Sequence, residues 1–173
     1  PDLRIEGDCW LDLEADRQAA LELWQLAKTL DIESLVRHVF ISQPGRDEHS
    51  ANLRTRQLLS APVGKQKDLE GELAPYVSRQ GLLLDIGCGG GTFLAGAARA
   101  GIEGVGIDVS MVWLVVADKL IRQSGGTPRL AAAMAESMPL GNASVSTIVS
   151  YDVIEHVADA AVYLCLLYTS DAA

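Results

Sequence analysis

Residues 82–93, LLLDIGCGGGTF, leave this chain few folds to choose from. An apolar run interrupted only by Asp85 is broken by Gly87, Gly89, Gly90 and Gly91, after which Thr92 and Phe93 open a helical pattern. A buried strand passing through a glycine turn into a helix makes a crevice at the carboxyl end of a parallel strand. The glycines let the backbone turn sharply and let a phosphate or nucleoside come close with no Cβ in the way.

Spacing separates the two ligand classes that use such a turn. A dinucleotide site wants G-x-G-x-x-G, with the pyrophosphate at the helix N-terminus. Here Thr92 stands where the third glycine would be, and an acid precedes the first glycine instead, so that Asp85, Gly87, Gly89 and Gly91 read acid-x-G-x-G-x-G. That acid suits a ligand carrying an ammonium and a sulfonium, and repels a pyrophosphate.

Ahead of the turn the chain reads as helical. Ala20, Leu23, Trp24 and Ala27, then Ile32, Leu35, Val36, Val39 and Phe40, fall at helical spacing over residues 12–40, as two short helices with Asp31 capping the second. Pro44 and Gly45 end the pair, and His49 in the polar stretch beyond reads as a solvated loop residue. A weaker pattern at 53–59 and another at 65–77, stopped by Gly81, complete a helical N-terminal region or cap over residues 1–80.

Behind the turn, helices and strands alternate. A small helix at 93–100 leads to a strand at 104–108, GVGID, which ends in Asp108 where a nucleoside site wants a carboxylate for the ribose hydroxyls. Ser110 caps a helix at 111–122 with Trp113, Val116, Ala117 and Leu120 facing inward, Trp113 being core rather than ligand. Strands follow at 130–134, from its place in the alternation, and at 147–151, entered through a polar turn at 141–144. The fold class is α/β, a parallel sheet with right-handed crossovers whose ligands bind at the carboxyl ends of the strands.

With residues 85–91, GVGIDVS at 104–110 and AESMPLGNASVSTIVSYDVIEH at 135–156 in this order, residues 81–164 resemble the small-molecule class I S-adenosylmethionine (SAM) dependent methyltransferases of the quinone-biosynthesis type, often called type 11. The resemblance implies a Rossmann-like doubly wound sheet, SAM as cofactor and a small-molecule acceptor. It implies that Asp85, Gly87, Cys88, Gly89 and Gly91 hold the methionine part, that Asp108 with Val109 takes the ribose, and that Ala135 and Glu136 lie along the adenine. Tyr151 and Asp152 would stand between cofactor and acceptor. Two positions depart from the family pattern: Met134 replaces an aspartate that accepts the adenine amino group, and Ser146 replaces one that begins the fourth strand. Met134 can still pack on the ring face. Glu136 is read equally well as a solvated loop acid.

Relatives of this type continue through three more strands in the order 3-2-1-4-5-7-6, of which 3-2-1-4 is represented here. Residues 165–173, CLLYTSDAA, resemble a translated sequencing adapter, so the methyltransferase part is expected to end near Leu164. On that reading the chain itself binds SAM weakly and does not turn over. Because it starts at Pro1, a missing upstream targeting segment stays open.

If the acceptor is a hydroxyl or an acidic carbon, a base is useful, and His156 is the histidine near the strand ends, with Asp152 beside it. A histidine opening a helix also caps or packs. Asp152, Glu155 and His156 spell D-x-x-E-H, similar to a magnesium pattern of some family members, and share one face if the helix includes Asp152. The reading without metal is preferred, with Glu155 there for the helix dipole.

A net charge of -9 disfavours a general nucleic-acid binder, which needs clustered Lys and Arg. The three scattered cysteines form no zinc or disulfide pattern and fit a reducing cytoplasm, and no apolar run reaches the length of a membrane helix. Methyl transfer from SAM to a small-molecule oxygen, nitrogen or carbon is the leading reading. A SAM-binding or regulatory module without catalysis is the alternative, and a nicotinamide oxidoreductase is disfavoured by Thr92.

Overall fold

In the computed structural model, residues 3–6, 9–141 and 144–171 are described; Pro1, Asn142 and Ala143 of the polar turn, and the last two alanines of the tail lie outside them. The chain opens with an antiparallel hairpin, β1 (Leu3–Glu6) and β2 (Cys9–Leu11). Three helices follow: α1 (Leu13–Leu26), α2 (Ile32–Ile41) and α3 (Glu48–Glu70). Each starts at an aspartate whose carboxylate accepts from backbone N–H groups of the first turn: Asp12 from Glu14 and Ala15, Asp31 from Ser34, Asp47 from Ser50.

The front of the chain therefore differs from the all-helical expectation by one hairpin, whose strands are too short for an alternating pattern to stand out. The two patterns at 53–59 and 65–77 are also one helix through Pro62, followed by a single 3-10 turn at Ala74–Tyr76. Tertiary packing overrides the proline here. A Cβ built on Gly96 would lie 2.6 Å from the Lys65 Cβ and 2.9 Å from the Pro62 carbonyl oxygen, so the backbone of α3 rests directly on α4 (Thr92–Arg99).

The sheet comprises β3 (Leu83–Ile86), β4 (Gly104–Asp108), β5 (Leu130–Ala132) and β6 (Thr147–Ser150), all parallel, in the order β5-β4-β3-β6. Numbered within the sheet this is 3-2-1-4, as expected for the partial doubly wound fold. β5 stops at Ala132 rather than Met134, and β6 at Ser150 rather than Tyr151. Helix α5 (Met111–Gln123) joins β4 to β5, and α6 (Ala160–Asp171) follows β6 and includes the tail from Cys165.

Side chains of β3 alternate between the two faces of the sheet. Leu83 belongs to one buried cluster with Phe93, Leu94 and Ala97 of α4, Leu120 and Ile121 of α5, and Leu69 of α3. Leu84 and Ile86 join Ile107, Val145 and Tyr163 on the other side. Burying each such Leu or Ile is worth about 1.5–3 kcal/mol. The front helices form a third cluster on α5: Leu23, Leu35, Val36 and Phe40 pack with Val115 and Val116, and Trp113 meets Phe40 edge-on with ring centroids 5.3 Å apart.

Candidate active site

Where β3 ends, the glycine turn is tied to its neighbour: Gly87 N and Cys88 N both donate to the Ile107 carbonyl, at 2.8 and 3.0 Å. Gly91 then caps α4 with φ +76, and a Cβ there would sit 2.7 Å from the Ala117 Cβ, so both conformation and packing demand glycine. Cys88 is buried beneath the turn, and burial pushes its thiol up, which makes it inert filling rather than a nucleophile.

Asp108, at the end of β4, reaches across to this turn. Its Oδ2 accepts from Gly89 N at 2.8 Å and its Oδ1 from Ser110 N at 2.9 Å. Burial raises its carboxyl above the ordinary range, while these N–H groups and that of Val109 pull it back. A carboxylate has about four lone-pair sites, so at least one remains for a ligand's hydroxyl.

Asp85 lies beneath the turn at 3% exposure. Burial first, and then the charge of Asp108, push it up to about 7, against the opposing pull of Lys65. Lys65 is a part of the site with no chemical partner near it in the sequence. From α3 it places its Nζ 4.3 Å from the ring centroid of Tyr151 and 5.9 Å from that of Phe93. Tyr151, half exposed just past β6, and Phe93 lie 5.8 Å apart between ring centroids.

The segment after β6 departs from expectation. Asp152 has φ +54, residues 151–159 are turn and bend, and helix α6 begins only at Ala160. Asp152, Glu155 and His156 therefore do not share a helical face, and neither the helix-start role of His156 nor the dipole role of Glu155 applies. Among the described residues, no group of three or more His, Cys, Asp or Glu is arranged to hold a metal ion. His156 is half-buried, and its Nδ1 is a buried atom without a hydrogen-bond partner. Val153 abuts Gly87, so this segment borders the glycine turn.

Glu136 accepts from Ala158 N at 2.8 Å and so fastens the same segment from the β5 side. Ala135 packs with the core on the far face, and Met134 is exposed. A further residue of the site is Asp16 of α1, buried at the start of α5. The spacing of Asp16, Ala20 and Leu23 along one helical face could have marked it, since it places an acid in line with buried residues.

Residues 84–169 match a family model described as a methyltransferase domain. The ubiquinone biosynthesis O-methyltransferase of Cereibacter sphaeroides is 35% identical over 98 residues, covering 56% of this chain and 40% of that protein. The protein of the same name from Ruegeria pomeroyi is 39% identical over 82 residues, 47% of this chain and 33% of that one. The chain thus spans well under half the length of these curated relatives. Among solved structures, a SAM-dependent methyltransferase from Thiobacillus denitrificans in complex with S-adenosyl-L-homocysteine matches with a TM-score of 0.51 and 23% identity over 62% of this chain and 43% of that one. A Methanococcus maripaludis protein described as a candidate SAM-dependent methyltransferase matches with a TM-score of 0.56 and 14% identity over 95% of this chain and 62% of its own. At such identities the likeness is one of fold. By the domain match and by this sheet order, the chain belongs to the class I SAM-dependent methyltransferases.

Proposed function

We propose that the chain binds SAM across the glycine turn and serves methyl transfer to a small-molecule acceptor. The observation that carries this is Asp108, a half-buried carboxylate held at the strand end by Gly89 and Ser110 with acceptor capacity to spare. A ribose diol matches it. Asp85, buried and raised, is a site for a cationic ammonium, which would favour its ionised form. A buried acid with a half-buried one beside it does not serve a pyrophosphate.

When bound, SAM supplies a methyl group made electrophilic by its sulfonium. The chain's own residues then bind and align. Gly87, Cys88, Gly89 and Gly91 present backbone to the methionine part, Asp108 and Val109 hold the ribose, and Ala135 and Glu136 border the adenine side. Tyr151 and Asp152 stand toward the acceptor, and the front helical region of residues 1–80 roofs the site and excludes water. His156, whose Nδ1 lacks a protein partner, is the base that takes a proton from an acceptor hydroxyl. The relatives named for ubiquinone biosynthesis favour a phenolic oxygen on a quinone-like ring as acceptor. A cytoplasmic setting fits this chemistry, and no helix among the described residues is long and apolar enough to cross a membrane.

Calorimetric titration with SAM, S-adenosylhomocysteine and NAD, followed by transfer of labelled methyl from SAM to catechols, tests the proposal. Weak binding of both adenosyl ligands but not NAD is expected from these residues alone, with label moving to an oxygen once the chain is extended to the length of the relatives it matches. NAD binding in their place would overturn it, and SAM binding without transfer across a broad acceptor set would favour a non-catalytic module.

A further inference from the structure

Asp16 belongs to the first turn of α1 yet is 9% exposed, because its carboxylate is turned onto the start of α5. Its Oδ1 accepts from Ser110 Oγ at 2.8 Å and its Oδ2 from Met111 N at 2.6 Å. Ser110 N donates in turn to Asp108 Oδ1, and Asp108 Oδ2 holds Gly89 N. One line of hydrogen bonds therefore runs from the front helix through Ser110 and Asp108 to the glycine turn.

Helix capping alone does not account for this. Ser110 Oγ already caps α5, accepting from Trp113 N at 3.5 Å, and a neutral side chain could receive its hydroxyl proton as well. Instead a third acid stands close enough to Asp108 that its charge disfavours ionisation there. Nor is Asp16 needed to dock α1, since Ala20 and Leu23 on the same face pack against Val115 and Val116. What Asp16 does and those contacts cannot do is fix the Ser110 hydroxyl and the adjoining Met111 N–H, and through Ser110 one oxygen of Asp108.

We propose that Asp16 is a positioning residue for the ribose-binding carboxylate, acting through Ser110, so that docking of the front helix and cofactor binding are coupled. This rests on the proposed SAM site. Residues that act on a ligand only through one another give non-additive changes, whereas independent damage to the fold adds.

The test is calorimetric titration of SAM into the wild type, Asp16→Ala, Asp16→Asn, Asp108→Asn and the Asp16→Ala/Asp108→Asn double variant, with circular dichroism to confirm folding. Asp16→Ala is expected to weaken SAM about tenfold, within the usual range of coupling between sites. Asp16→Asn, which keeps one acceptor oxygen, should lose less. In the Asp108→Asn background, removing Asp16 should cost less than about twofold. An unchanged dissociation constant in folded Asp16→Ala overturns the inference, as does an undiminished tenfold loss in the Asp108→Asn background. Should Asp16→Ala fail to fold, Asp16→Asn carries the same comparison, and no loss there overturns the inference. Wild type that does not bind SAM sinks the site itself, whereas binding weakened by Asp108→Asn and indifferent to Asp16 sinks the inference alone.

Discussion

Replacing Asp85 by asparagine exchanges a buried carboxyl for a neutral group of the same shape, and the consequence should depend on pH. In the free protein burial, then the charge of Asp108, raise this carboxyl from 3.8 to about 7. The unfolded chain ionises it near the ordinary value, so between those limits the folded state keeps a proton that the unfolded state has lost. Stability is then fully present below the unfolded value and falls as pH rises through about 7, the reverse of ordinary acid denaturation. At about 1.4 kcal/mol per pH unit the window amounts to about 4 kcal/mol. That is a large part of the roughly 5–15 kcal/mol margin of a domain. Urea unfolding of both proteins from about pH 4.5 to about pH 8.5 should give curves that approach at the acid end, separate as pH rises to about 7 and run parallel above it, with Asp85→Asn the more stable. The same carboxyl must shed its proton to pair with an ammonium, so SAM affinity of the wild type should fall by up to about tenfold per unit below pH 7, with uptake of a proton by buffer. Asp85→Asn should bind weakly at every pH. A stability difference between the two proteins that does not change with pH would refute the reasoning.

Asp108→Ala leaves the Gly89 and Ser110 N–H groups without their acceptor and removes the ribose ligand; calorimetry should find SAM weakened at least about tenfold, and an unchanged constant would remove Asp108 from the site. Gly91→Ala carries the left-handed cost of about 1–2 kcal/mol at φ +76, and its Cβ 2.7 Å from that of Ala117 should add about 1–3 kcal/mol more in denaturant unfolding. Gly89→Ala, where φ is +48 but no atom lies within 4 Å, should cost about 1–2 kcal/mol of stability while SAM binding is lost; equal unfolding losses in the two variants would contradict this division. Lys65→Met removes the charge that opposes the rise of Asp85, so the pH below which SAM affinity declines should move upward. An unmoved profile would show that Lys65 does not act on Asp85.

What could be read from the sequence was what neighbours in the chain decide. Leu83 to Ile86 followed by the glycines, the capping residues Asp31 and Ser110, and Asp108 at the end of GVGID are local, and each stands where expected. The parallel run of the strands follows from alternation of strand and helix, and their β5-β4-β3-β6 order is the one the resemblance implied. The pattern D-x-x-E-H misled because its meaning depends on a helix, and Asp152 in the left-handed region shows that the helix has not begun. Lys65 and Asp16 were missed for the opposite reason, since neither has a chemical partner nearby in sequence. Each lies in register with buried residues of its own helix, Lys65 with Pro62 and Leu69, Asp16 with Ala20 and Leu23. A charged residue on an apolar face is thus the surviving trace of a distant contact.

Both of these residues come from the front of the chain, and each bears on a different one of the two site acids, Asp85 and Asp108. Lys65 eases the ionisation of Asp85, whereas Asp16 adds negative charge beside Asp108. Three acids and a single ammonium leave the crevice with an excess of negative charge, although Asp85 holds its proton part of the time near neutrality. At an effective dielectric of about 20, a unit charge about 4 Å from one carboxylate is worth about 4 kcal/mol. The ammonium and sulfonium of SAM outweigh its one carboxylate, so such a field favours it, while a dinucleotide would bring two phosphates into the same space. The discrimination therefore does not rest on the absence of a third glycine alone. It rests on the acids as well, and Asp16→Asn together with Asp85→Asn should narrow the preference for SAM over NAD even where the glycine turn is intact.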